Sequence, residues 1–288
     1  MREAGLEVSR DDAGNLFGRR GEARVWNGSH LDSVPNGGRF DGVLGVVAAI
    51  EAAERLPEAP LATVVFRAEE NGMIGSQALR ERPEAFVELH CEQGPVLERL
   101  GAALGVVSAI VGQTRGTVVF DGRADHAGTA PMEGREDALV AAARFVLHVR
   151  ACAVGEARAT VGQVEVEPGT VNVVPARVAV SVDARAPTAA ELDALVESIG
   201  FQPSWRIEPA AMSGAPLAAV EASLPEAPRL VSGAGHDAHV LAAAGVPTAM
   251  IFVRSLNGGA SHSPRELSSP EDVAAGVDAL TTVLSRLV

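Results

Sequence analysis

Apolar residues follow two different spacings along the chain, and the change from one to the other divides it. Leu6–Ser9 and Asn15–Phe17 flank Asp11-Asp12-Ala13-Gly14 and read as a short hairpin. Ala23–Trp26 is a strand leading into Asn27-Gly28-Ser29-His30, and Gly42–Leu56 is apolar at helical spacing. Leu61–Phe66 is an unbroken apolar run of the length of a buried strand, and Phe86–His90 is another. From about Gly112 the pattern changes. Strands at Thr117–Asp121, Thr160–Val166, Val171–Asp183 and Ser204–Glu208 are interleaved with helices at Ala138–Val149 and Ala189–Ser198. That is the β-α-β-β-α-β order of a ferredoxin-like unit. After Met212 the first pattern returns, with a helix at Ala238–Ala244, a strand at Thr248–Val253 and a closing helix at Ala274–Leu287. The chain therefore reads as an α/β domain over 1–110 and 212–288, interrupted by an inserted α+β domain over 111–211.

Composition narrows the function classes. Of 288 residues, 47% are hydrophobic but only 3% aromatic, so the core is built from Val, Leu and Ala. The net charge is −13 and every basic side chain other than histidine is Arg, with no basic run to meet a phosphate backbone, which argues against nucleic acid. Cys91 and Cys152 form no CxxC and no disulfide framework, as expected of a reducing cytoplasm. The charged start Met1-Arg2-Glu3-Ala4 does not read as a signal peptide, and no apolar stretch reaches the ~20 residues of a membrane span. A cytoplasmic location is the expectation.

Candidate chemistry sits at the predicted strand ends. His30, Asp32, Asp41, the tandem Glu69-Glu70, His90 and His262 are ligand types for zinc, which accepts imidazole nitrogen and carboxylate oxygen. In a tandem, one carboxylate can bind metal while its neighbour handles the proton of an attacking water. Asp41 is a candidate bridge between two cations, and Asp32, two residues after His30 on an extended segment, is placed to orient the imidazole. Any one of these alone would read as a surface acid or a packed histidine. Their joint placement beside glycines at the carboxyl ends of strands argues for a site. Cys91 next to His90 points to the opposite strand face and reads as core; His148 and His239 read as helix residues without a role.

Several segments resemble the zinc-dependent amidohydrolase/carbamoylase family of di-zinc exopeptidases, which includes allantoate amidohydrolases, N-carbamoyl-L-amino-acid hydrolases and β-ureidopropionases. They are Gly28-Ser29-His30-Leu31-Asp32, Gly37-Gly38-Arg39-Phe40-Asp41-Gly42, Glu69-Glu70 and Glu88-Leu89-His90-Cys91-Glu92-Gln93-Gly94-Pro95. Gly122-Arg123-Ala124-Asp125-His126-Ala127-Gly128, Ser232-Gly233-Ala234-Gly235-His236-Asp237-Ala238 and Ser261-His262-Ser263-Pro264 extend the likeness over nearly the whole chain. The resemblance implies a di-zinc exopeptidase-like catalytic domain, an α/β/α mixed sheet, holding two Zn²⁺ per subunit through His30, Asp41, Glu70, His90 and His262, with Glu69 as general base. His/carboxylate sites also accept Mn²⁺ or Co²⁺. It further implies that the inserted domain dimerises and acts as a lid, so that His126 reaches the partner's site and stabilises the oxyanion. Gln113, Asn172 and Arg185 match substrate-holding positions, Arg185 pairing with a carboxylate, and His236 supports the site by hydrogen bonding.

The expected substrate is thus a small ureido or amide carboxylate, and the expected assembly a homodimer. A dipeptidase or aminoacylase of the same superfamily is the nearest alternative, and a non-catalytic metal-binding dimer the alternative of another class. Relative to the family pattern, the helical region before Met1 is missing, Asn71–Glu88 is short, and Glu70-Asn71-Gly72-Met73-Ile74 replaces EEGxRF.

Overall fold

The computed structural model describes residues 1–288. The chain opens with β1 (Glu7–Arg10), β2 (Leu16–Arg19) and β3 (Val25–His30), followed by α1 (Val43–Arg55) and β4 (Leu61–Phe66). The one-turn α2 (Ile74–Gln77), β5 (Ala85–Cys91), α3 (Val96–Leu100) and β6 (Leu104–Ile110) complete its first part. The middle carries β7 (Gly112–Asp121), α4 (Ala138–Cys152), β8 (Arg158–Thr160), β9 (Val164–Glu167), β10 (Arg177–Ala186), α5 (Ala189–Ile199) and β11 (Trp205–Ile207). The last part holds β12 (Ala210–Ala211), α6 (Gly214–Ser223), β13 (Arg229–Ser232), α7 (Asp237–Ala243), β14 (Thr248–Val253) and α8 (Pro270–Leu287).

Two compact units result, Met1–Ile110 with Ala210–Val288, and Val111–Pro209. The second boundary falls two residues before the expected 211, because Ala210 and Ala211 pair with Ile110 and Ala109 of β6. No helix is long and apolar enough to cross a membrane.

The larger unit is a nine-stranded mixed sheet ordered β1-β2-β4-β3-β5-β14-β6-β12, with β13 also on β6. Its four central strands, β4, β3, β5 and β14, are mutually parallel, so their carboxyl ends share one edge. Alternation along β14 feeds both faces. Ala249, Ile251 and Val253 join the core under α1, α6 and α8, while Met250 and Phe252 join the core under α7 with Trp26, Phe66 and Phe86. Burying each of these large side chains contributes about 1.5–3 kcal/mol. On β5 the same alternation sends Leu89 and Cys91 into the first core and leaves Glu88 and His90 with Phe86 on the other face.

Two boundaries in this unit differ from the sequence expectation. β3 runs on through Asn27, Gly28, Ser29 and His30, all buried, because Asn27 Nδ2 donates to Ala62 O and Ser29 Oγ donates to Glu88. Buried polar groups that find partners can occupy a strand that composition alone reads as loop. α8 starts at Pro270 rather than Ala274, since Ser269 Oγ accepts from Asp272 N and Pro is favoured in the first turn.

In the smaller unit the sheet order is β11-β7-β10-β8, with β9 also on β10. The expected strand Thr160–Val166 is split into β8 and β9, which pair with opposite ends of β10, at Asp183–Arg185 and at Arg177–Val180. The expected strand Val171–Asp183 starts only at Arg177. Pro175 has no N–H to give a ladder, and Asn172 lies in a turn. α4 and α5 cover one face, around Val149, Val182, Leu195 and Ile199.

Candidate metal centre

The shared carboxyl edge of the parallel strands collects the acidic and histidine side chains. His30 ends β3, Glu69 and Glu70 follow β4, His90 lies near the end of β5, and His262 stands on the loop after β14. Asp41 enters from the turn before α1, and its neighbour Gly42 has φ +66°. Any Cβ there would run into the His30 ring.

Distances converge on Asp41. Its Oδ1 lies 3.6 Å from His30 Nε2 and 3.3 Å from His90 Nε2, and its Oδ2 lies 3.3 Å from His262 Nε2. His262 Nε2 is also 3.4 Å from Glu70 Oε2, while Glu69 Oε2 is 3.8 Å from His30 Nε2. His30, Asp41 and His90 form one group of donors close enough to hold a metal ion, and Asp41, Glu70 and His262 form another that shares Asp41. All are buried or nearly so except His262, whose side chain is half exposed.

The far ring nitrogens are already engaged. His30 Nδ1 bonds the carbonyl of Asp32 at 3.0 Å, and His90 Nδ1 bonds the carbonyl of Cys91 at 2.9 Å. Carbonyls only accept, so both Nδ1 atoms carry a proton, and Nε2 is the nitrogen of each ring that gives up its proton when a cation is bound. Buried His90 Nε2 and Glu70 Oε1 make no hydrogen bond. The residues present therefore fit divalent metal: a donor set of nitrogen and oxygen, a carboxylate shared between two groups and two orphaned buried donor atoms.

Charge is displaced accordingly. Burial pushes the Glu69 carboxyl up to about 7, against the pull of the His30 and His90 rings. Burial also raises Glu70, with the charge of Asp41 adding to it. For His30, burial opposes the charged ring, but Asp41 and Glu69 outweigh it and hold the pKa near 9. Burial likewise opposes ionisation of Asp41, and the two histidines overcome it and hold the carboxyl well below the usual range.

Asp32 departs from its expected part. Its backbone carbonyl, not its carboxylate, bonds His30; the nearer carboxylate oxygen is 3.7 Å from the ring. The carboxylate instead accepts from the backbone N–H groups of Glu69 and Glu70, at 3.2 and 3.1 Å. His236 packs its ring edge-on to His90, 4.6 Å between centroids, and bonds Ser232 Oγ through Nε2. Cys91 is buried in the core and His239 is buried in α7, while His148 is exposed and bonds Ser198 O.

Three neighbours were not singled out by sequence. Gln93 donates to Asp41 Oδ2 at 2.9 Å and sits at φ +55°. Ala68 and His262 are also left-handed, at +53° and +51°, so three strained non-glycine residues border one site. Glu88, two positions before His90 on the same strand face, is fully buried and accepts from Ser29 Oγ and Ala238 N. Glu266 accepts from the backbone of Phe40 and Asp41.

The remaining candidates lie in the smaller unit as two pairs. Gln113 and Arg185 face each other across β7 and β10, with Gln113 buried. Arg185 is already engaged, its Nε 2.8 Å from Asp183 Oδ1. His126 and Asn172 are joined through their backbones, by a bridge from His126 to Val173 and a bond from Ala127 N to Asn172 O. Exposed His126 accepts at Nδ1 from Gly128 N and Thr129 N, at 3.1 and 3.2 Å, which assigns its ring proton to Nε2.

Comparison with known proteins adds a family. The model described as peptidase family M20/M25/M40 matches residues 27–286. An allantoate amidohydrolase of Bacillus subtilis is 35% identical over 363 aligned residues, covering 100% of this chain and 88% of the relative. An N-carbamoyl-L-amino acid amidohydrolase of Geobacillus stearothermophilus is 36% identical, covering 97% and 87%. The crystal structure of a hydantoinase/carbamoylase family amidase from Burkholderia ambifaria superposes with a TM-score of 0.87 at 31% identity, covering 99% of this chain and 86% of that one. The Bacillus alignment spans 363 residues where this chain has 288, so that relative carries internal insertions that are absent here.

Proposed function

The chain belongs to peptidase family M20/M25/M40, and from that premise we propose that it is a metal-dependent amidohydrolase cleaving a linear ureido or amide C–N bond in a small carboxylate substrate. Allantoate and N-carbamoyl-L-amino acids are the first substrates to test, since relatives bear those names. The observation that carries the reading is the convergence of His30, Glu70, His90 and His262 on Asp41, with Glu69 beside them and outside both groups that share Asp41.

Two cations, Zn²⁺ with Mn²⁺ or Co²⁺ as substitutes, would be held by His30, Asp41, Glu70, His90 and His262, where they supply Lewis acidity to the scissile carbonyl and acidify water. Glu69, with its pKa near 7, is poised to take a proton from the attacking water and return it to the leaving nitrogen. Asp32 fixes the backbone of both glutamates, which keeps Glu69 aimed at the reacting centre. His126 presents a preorganised Nε2–H donor for the oxygen on which negative charge develops. In a homodimer formed through the smaller unit, that donor comes from the partner chain. Arg185 meets the substrate carboxylate through its planar fork, exchanging Asp183 for it, with Gln113 and Asn172 completing the grip.

The test is ammonia release from allantoate and a set of N-carbamoyl-L-amino acids by metal-loaded protein, with a chelator-treated control. No turnover on any of them, together with turnover on a dipeptide panel, would move the protein to the peptidase reading of the same family.

A further inference from the structure

One buried carboxylate ties together the two loops that bring Asp41 and His262 to the centre. Glu266 is 5% exposed. Its Oε2 accepts from Phe40 N at 2.7 Å and Asp41 N at 3.1 Å, more than two hundred residues away in sequence. Its Oε1 accepts from Ser261 Oγ at 3.1 Å, and Ser261 immediately precedes His262. Ser261 Oγ also receives Gln93 Nε2 at 3.2 Å, and the same nitrogen bonds Asp41 Oδ2. The backbone of the Asp41 loop presses against this carboxylate so closely that a Cβ on Gly38 would fall on it.

These bonds fix positions, since Glu266 holds the backbone N–H of Asp41 rather than its carboxylate, and the residue beside His262 rather than its ring. His262 gains little support elsewhere: it is half exposed, left-handed and on a loop. Its alignment with Asp41 Oδ2, 3.3 Å away, depends on how the two loops are joined.

We propose that Glu266 is a positioning residue, setting the separation of Asp41 and His262 and so the affinity for the cation that those two hold with Glu70. This rests on the metal-dependent reading above. Glu266 supports the Asp41, Glu70 and His262 group on two sides, through Asp41 and through the loop after β14, and the His30, Asp41 and His90 group through Asp41 alone, so loss of the strut weakens the first site more than the second.

The experiment compares Glu266→Ala, Glu266→Gln and Ser261→Ala with the parent protein. Cations per chain after dialysis are counted by mass spectrometry, and affinities are read by competition with a chromophoric chelator. Glu266→Ala is expected to weaken one of the two cations by about 10–100-fold, as removal of outer partners of metal ligands does. Glu266→Gln should stay within a few-fold of the parent, because its carbonyl can accept both backbone N–H groups while its NH₂ donates to Ser261. Ser261→Ala, which leaves Glu266 in place, should fall between them and serves if Glu266→Ala does not fold.

Asp272→Asn is the control for mere loosening. Asp272 pairs with Arg254 at 2.8 Å and its carboxylate bonds none of the candidate ligands, so its loss should lower the melting temperature with both affinities kept. Parent-like affinity for both cations in folded Glu266→Ala overturns the inference. So does a Glu266→Gln as weak as the alanine variant, or a metal loss in Asp272→Asn as large. A parent protein that binds no cation overturns the metal-dependent reading itself, whereas a parent that binds two alongside an unaffected Glu266→Ala defeats only the part given to Glu266.

Discussion

Carboxylates in the two units are held in opposite ways. In the larger unit Glu69, Glu70 and Asp41 face histidines, and none of their ion pairs is with an arginine although the chain has 24 basic residues. Burial drives Glu69 and Glu70 upward, and Glu70 Oε1 has no partner. In the smaller unit Asp183 accepts from Arg185 and Arg115, both at 2.8 Å. Burial would raise it too, but Arg185 first and Arg115 second bring it below its usual value. The first arrangement pairs carboxylates with imidazoles, which can give up a proton and ligate a cation in its place; the second pairs one with arginines, which cannot. An enzyme that works as proposed uses the first to hold metal and temporarily opens the second to admit a substrate carboxylate.

The sharpest break in that comparison is Glu69→Gln, which keeps the shape and removes the base. Turnover should fall by about 10²–10⁴-fold, the range that a positioned general base supplies. Metal content should stay at the parent level, because Glu69 belongs to neither donor group. If the variant loses metal instead, Glu69 is a ligand and the assignment of tasks within the pair is wrong.

Metal removal comes next. At a free cation concentration of a thousand times Kd, binding to the folded state alone adds about 4 kcal/mol of stability. Hydrogen exchange should show that gain around the ends of β3 and β5 and the loop 255–266, and little of it in β7 and β10. Protection spread evenly over both units would erase the contrast. Cation binding should also weaken as pH falls, since His30, His90 and His262 must be neutral to ligate.

Arg185→Met tests the other side. Losing a charge-assisted pair raises KM for a carboxylate substrate by about 10–100-fold, with kcat changed less. An unchanged KM in steady-state assays would leave Arg185 as Asp183's partner and nothing more.

How far the sequence disclosed these arrangements depends on the range of the interactions. That His30, Asp41, Glu70 and His90 come together was legible because each stands near a strand end or beside glycine, whereas His262, on a loop well past β14, stood out by residue type and motif. Glu88 could have been found from its place two residues before His90, where alternation puts both on one face. Glu266 could not: its partners Phe40 and Asp41 are remote in sequence, and nothing local distinguishes it from a surface acid. Asp32 was expected to work through its carboxylate, but spacing shows which residue is near His30, not which oxygen. The start of β10 and the break between β8 and β9 were missed because apolar alternation runs through both, whereas pairing with a single long strand decides where they end. Arg185 was legible as a cation, but its engagement with Asp183 emerges only when β10 is built and residues two apart share a face.

Asp183→Asn gives the smallest effect and the cleanest sign. A carboxyl lowered in the folded state contributes stability that is fully present above its unfolded value, near 3.8, and is lost as pH falls through the folded value beneath it. Both arginines are partly exposed, Arg115 by 55% and Arg185 by 30%, so solvent screening limits the pair to about 1 kcal/mol or less. The variant should melt slightly lower than the parent at pH 5–8, with the two curves converging as pH falls through the lowered Asp183 value, where the parent's carboxyl is protonated as well. Unlike Glu69→Gln, it leaves the metal centre untouched and frees the Arg185 fork, so KM for a carboxylate substrate should fall or stay level while stability drops. A rise in KM would mean that Asp183 orients Arg185 for the substrate rather than competing with it, and the self-contained pair would then be part of the binding site.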